Sequence, residues 1–158
     1  MWVRAGTRGS SVRNVPWNNV VPVIIGGVVA VGFLDGERVL VGSHSALGVF
    51  DSRTGDRLER TPSDDYSWCE PDPPSIRYAG GSDVRLVAAE GLWGGELDRV
   101  TADGWACRLR TDGAQLFAEG NPHTVRVHDP EERRAFGFSP DGQTFIYATS
   151  ETLTLLRR

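Results

Sequence analysis

Short runs of alternating or continuous apolar residues, cut at intervals by Gly, Asp, Asn and Pro, dominate this chain and predict strands, not helices. The strongest local signal is Val31-Gly32-Phe33-Leu34-Asp35-Gly36-Glu37-Arg38-Val39-Leu40-Val41-Gly42, which reads as a strand, an Asp-Gly turn and a second strand. A third strand is expected over Ala46 to Asp51. After the turn Arg53-Thr54-Gly55-Asp56, a fourth follows near Arg57 to Arg60. The same grammar returns at Ala135 to Thr149, around Ser139-Pro140-Asp141-Gly142, and continues into a strand from Thr152 to Leu156. Phe33 and Phe138, which precede the two turns, are 105 positions apart. That is about twice a repeat period of 40–50 residues and predicts a copy between them. A weaker copy fits there: Ile76 to Ala79, the turn Gly80-Gly81-Ser82-Asp83, Val84 to Ala89, then Leu92 to Thr101 and Ala106 to Leu109.

Phe138-Ser139-Pro140-Asp141-Gly142 with its β-rich continuation, and Val49-Phe50-Asp51 with Thr54-Gly55, resemble WD40-type and related bacterial β-propeller repeats, including an uncharacterised group from high-GC bacteria. The resemblance implies an all-β fold of about three four-stranded antiparallel blade-like meanders, near residues 29–60, 76–110 and 123–158, in a partial or small propeller. A sandwich or barrel is the fallback. A four-stranded unit cannot bury both faces alone, so such units stack. Three units are too few for a usual ring. Closure is expected from an N-terminal strand within residues 12–26, covering the free edge left after Leu156, or from dimerisation.

At 158 residues, with 39% hydrophobic and 24% charged residues, one soluble domain spanning 1–158 is expected. The net charge of −4 and the scattered arginines speak against nucleic acid, whose phosphates need a clustered positive field. All 17 basic residues are arginine, a coding bias or an arginine-rich recognition surface. Arg4, Arg8 and Arg13 before the apolar run Val20 to Leu34 imitate a signal peptide. The run is broken by Pro22, Gly26 and Gly27 and is shorter than the roughly 20 residues that span a membrane. It reads as buried strand, in a cytoplasmic protein without a membrane partner. Cys69 and Cys107 lack CxxC partners and read as reduced thiols.

Candidate chemistry is sparse, and neither a catalytic set, a metal site nor a cofactor is expected. His123 and His128 are five apart, on opposite faces of a strand. His44, between Ser43 and Ser45, suits a turn hydrogen bond better than nucleophile activation. Trp93 and Trp105 read first as core, with stacking on a sugar or a peptide as the alternative. The unusual segment is Thr61 to Ser75, an acidic, proline-stiffened connection with aromatics. Its Asp64, Asp65, Tyr66, Trp68, Glu70 and Asp72, with Trp93 nearby, form the candidate partner- or ligand-binding set. The sequence therefore predicts a non-catalytic protein-interaction module, of the kind an immunity protein neutralising its partner would be. The alternatives are a small-molecule or carbohydrate enzyme with a pocket at the blade centre or dimer interface, and a scaffold that forms half of a homodimeric ring.

Overall fold

The computed structural model describes residues 16–19 and 22–158 and is all-β, with one short 3-10 turn at Pro130–Glu132. A seven-stranded antiparallel sheet contains β3 (Val28–Phe33), β4 (Arg38–Ser43), β5 (Ala46–Asp51), β6 (Arg57–Pro62), β7 (Cys69–Pro71), β8 (Pro74–Gly80) and β9 (Asp83–Gly91), in the order β6-β5-β4-β3-β9-β8-β7. A three-stranded sheet holds β10 (Ala106–Arg110), β11 (Gly113–Ala118) and β12 (Asn121–Arg126). The third sheet holds β13 (Arg133–Phe138), β14 (Thr144–Thr149) and β15 (Thr152–Arg157). Two short N-terminal strands, β1 (Asn18–Asn19) and β2 (Val23–Ile24), lie along the outer edge of β15.

The β13–β15 sheet is the middle layer. Ile146, Ala148, Leu153 and Leu155 face Val31, Phe33, Val39, Val41 and Phe50 of the seven-stranded sheet. Their strand neighbours Phe136, Phe138, Phe145, Tyr147 and Leu156 face Leu116, Val125 and Trp105 of the three-stranded side, with Trp17 in the same cluster. Covered on both faces, β14 is buried at all six positions, which is why its sequence Thr-Phe-Ile-Tyr-Ala-Thr is apolar without alternation. The seven-stranded sheet curls so that its β7–β9 end covers the far side of β3–β5, enclosing Leu40, Val49, Trp68, Ile76 and Val87. Each large side chain buried in these layers contributes about 1.5–3 kcal/mol.

One buried carboxylate joins the layers. Glu90, on β9, is 6% exposed. Its Oε1 accepts the Phe136 amide of β13 at 3.1 Å and its Oε2 the Leu97 amide at 3.1 Å, and Arg99 Nη2 donates to both oxygens at 3.0 and 2.8 Å. The Arg99 guanidinium lies 3.5 Å from the centroid of the Phe136 ring. The edge of β13 is thus capped by a side chain at Phe136 and by the Asp98 carbonyl at Phe138.

Both Asp-Gly hairpins form. Asp35 Oδ1 accepts the Glu37 and Arg38 amides, and Asp141 Oδ1 accepts the Gln143 amide and the Ser139 hydroxyl. Several expectations need correction. The 29–60 meander and the 76–91 hairpin do not stand as separate units: β3 pairs with β9 through Ala30–Gly91, Val31–Glu90 and Gly32–Ala89. Gly91 permits that approach, because a Cβ there would fall on the Val29 carbonyl. Residues 92–101 are not a strand. Gly94 and Gly95 turn with positive φ, Leu92 and Val100 are exposed, and only isolated bridges form. Residues 111–122, outside every expected unit, carry β11 and begin β12. The Thr61–Ser75 connection is shorter than expected, since β6 runs to Pro62 and β7 and β8 make a hairpin through a cis Asp72-Pro73 bond.

The N-terminal strand is broken. Asn18 pairs with Arg157 and Asn19 with Leu156, whereas Val23 pairs with Leu153 and Ile24 with Thr152, a one-residue slip between the two pieces. Residues 12–15, 20 and 21 of the expected 12–26 segment lie outside the described residues, as do Arg4, Arg8 and Arg13. Among the described residues, no helix is long and apolar enough to cross a membrane.

Candidate functional site

The candidate residues divide according to what each side chain touches. Asp65 is consumed by its own turn: Oδ1 accepts the Ser63 hydroxyl at 3.0 Å and the Ser67 amide at 3.1 Å, and these bonds hold its carboxyl below the usual aspartate range. Glu70 is paired with Arg77 across the β7–β8 hairpin. Asp64 and Asp72 are exposed, and no hydrogen bond or ion pair to either side chain occurs among the described residues. They are the free carboxylates of the segment.

The aromatics come together. Trp68 is 4% exposed and lies flat under β4, where a Cβ on Gly42 would fall inside its ring. Above it Trp93, 42% exposed, meets Tyr66 edge-on at 5.5 Å and Trp68 at 6.2 Å between centroids. His44 approaches Tyr66 at 5.8 Å, and its Nδ1 shares a short hydrogen bond with the Tyr66 hydroxyl. Edge-to-face packing at these separations adds about 0.5–1.5 kcal/mol per pair beyond burial and fixes ring orientation. Tyr66 has φ 56°, a left-handed conformation costly for a bulky residue. The Asp65 turn, the Tyr66 carbonyl accepting the Cys69 amide at 2.9 Å, and the His44 contact hold it there.

The structure brings three of the predicted residues, Tyr66, Trp68 and Trp93, into one cluster and adds His44 to it. Trp68 is the buried floor of the cluster, Tyr66 is half-buried against it, and Trp93 is the exposed ring. His44, read as a local turn residue, belongs to the cluster. Only its distant Tyr66 contact, 22 positions away, reveals this. Trp105 packs in the core, 5.7 Å from Trp17.

No hydrogen bond among the described residues joins His44 to Asp64, Asp65 or an arginine, so a general-base constellation is not assembled. His123 is half-buried, which lowers its basicity by desolvation, while His128 is exposed and paired with Asp129 at 2.8 Å. No cluster of three metal-ligating side chains occurs among the described residues. A cavity of about 450 Å³ lies away from the aromatics, between Leu86 and Ala88 of β9 and the Pro140-Asp141 turn, over Phe33 and Leu97. The cavity at Trp93 is only about 10 Å³, far below the volume of a small-molecule site. No protein family, curated protein or solved structure matches this chain.

Proposed function

We propose that this protein is a non-catalytic protein-interaction module that holds a partner protein on the Tyr66–Trp93 face. The observation that carries the reading is a large exposed tryptophan, held edge-to-face against Tyr66 and a buried Trp68, with Asp64 and Asp72 free in the neighbouring segment. Rigid aromatics lose little entropy on binding and anchor interfaces. Aromatic faces with nearby carboxylates suit an arginine or lysine of the partner. The acidic balance of the chain favours a basic partner, as in an immunity-type pairing that blocks the partner's activity. Cytoplasmic placement belongs to the same proposal, supported by the free thiols of Cys69 and Cys107. So does a propeller-like closure, supported by the N-terminal strand that completes the β13–β15 sheet.

The experiment is affinity capture with wild-type protein, followed by titration of the purified partner against W93A and D64N/D72N. Trp93→Ala should weaken binding by more than 1 kcal/mol, roughly fivefold or greater, with an unchanged circular dichroism spectrum. Unaltered affinity in both variants would sink the reading.

A further inference from the structure

A second site sits on the opposite face of the seven-stranded sheet's edge, where a cavity of about 380 Å³ opens between β5, β6 and the N-terminal strand. Its charged lining is Arg57, Arg60 and Asp56, its hydroxyls are Ser43 and Ser45, and Val23 and Ile25 form an apolar wall. Residues three apart on a regular strand face opposite sides. Here a bulge reverses that. Gly48 pairs with Arg60 and Val49 with Glu59, but Phe50 pairs with Arg57, so Leu58 is the extra residue and both arginines emerge on the face of Gly48 and Phe50. Gly48 places no side chain between them and the sheet.

The arginines are also distinctive in what they lack. Every other arginine among the described residues donates to a carboxylate, a carbonyl or another side-chain oxygen, or lies over an aromatic ring. Among the described residues, Arg57 and Arg60 have neither ion pair nor hydrogen-bonded partner, although the chain is acidic overall. Two arginines lining one cavity, with one carboxylate beside them, leave a local positive charge. Their forked donors match carboxylate and phosphate oxygens, and two guanidinium groups together suit the doubly charged phosphate. The volume lies within the range of small-molecule sites.

We infer that this cavity binds a small phosphate monoester, its phosphate held by Arg57 and Arg60 and its organic part against Val23 and Ile25. The site is independent of the aromatic face and stands if that reading fails. Phenyl phosphate is the probe, with inorganic phosphate and benzyl alcohol as the two partial ligands, each titrated by calorimetry and by amide chemical shifts of the intact chain. Saturable binding of phenyl phosphate is expected, with shifts centred on Gly48, Ser45 and Arg60. Inorganic phosphate should bind at least tenfold more weakly and benzyl alcohol not at all. R57Q/R60Q should weaken phenyl phosphate at least tenfold. So should Gly26→Leu, which keeps both charges but projects into open space at the cavity wall. Both changes lie at exposed positions, and unchanged melting curves confirm intact folding. Absence of saturable binding, or wild-type affinity in R57Q/R60Q or in Gly26→Leu, overturns the site.

Discussion

Replacing Glu90 by glutamine tests the account of how the sheets are joined. The carboxylate accepts four hydrogen bonds, two from backbone amides and two from Arg99. Glutamine keeps one acceptor oxygen and turns an NH2 donor toward an amide and a guanidinium that also donate. Breaking a buried pair by neutralising one partner costs about 3–5 kcal/mol, and the retained oxygen places Glu90→Gln at about 3 kcal/mol. For a domain of this size, with about 2–4 °C per kcal/mol, the melting temperature should fall by roughly 6–12 °C. E90L/R99M separates this site from an ordinary buried ion pair. A lone pair is often replaced by apolar residues without loss. Here the Leu97 and Phe136 amides would be left without acceptors, at about 1–3 kcal/mol each, so the double variant should stay at least about 2 kcal/mol below wild type. Urea denaturation followed by tryptophan fluorescence, with melting by circular dichroism, reads both. A loss below about 1 kcal/mol in Glu90→Gln, or full stability in E90L/R99M, would refute the reasoning.

Gly42→Ala should destabilise by about 2 kcal/mol or more, because the new methyl group and the Trp68 ring require the same space; a red-shifted tryptophan emission with a lower urea midpoint is the expected signature. Burial pushes the Cys107 thiol from 9.0 up to about 12, so native protein should resist thiol reagents at pH 8 while unfolded protein reacts. A folded value above the unfolded one means that this contribution to stability is complete below pH 9 and is lost as pH rises from about 9 to 12. Asp103 is the opposite case. The Arg158 guanidinium, bonded to both its oxygens, holds its carboxyl well below 3.8, so the linked stability is present above about pH 4 and falls away on acidification. Arg158→Gln should move the Asp103 titration, followed by carboxyl carbon shifts, upward toward the ordinary range.

Strand identity was legible where local chemistry decides it. Asp35-Gly36 and Pro140-Asp141-Gly142 carry their own turn bonds, and the expected third strand, Ala46 to Asp51, coincides with β5. What the chain does beyond local range was not. No local pattern shows that Gly91 lets β9 lie against β3, so two meanders that read as repeats merge into one sheet. Leu92 to Thr101 has a strand's composition, but Gly94 and Gly95 turn it aside and the Leu97 amide is drawn to Glu90 instead of a ladder partner. In the aromatic site, residue types were readable and depth was not. Trp68 and Trp93 look alike in sequence, and only the glycine at position 42 of a distant strand makes room for one of them in the core.

The pairing of β1 with β15 also sets how the molecule yields to force. Asn18 lies opposite Arg157, so residues 16–18 and 157–158, at the two ends of the described chain, leave the sheet at the same corner. Tension applied at those two points loads the ladder rung by rung, as a zipper, and not along its length in shear. The first strands to part are β1 and β2, whose paired segments are two residues each. Calorimetric stability and mechanical strength are therefore separate quantities in this fold: the edge of β15 unzips from these ends whatever the heat stability of the layers behind it.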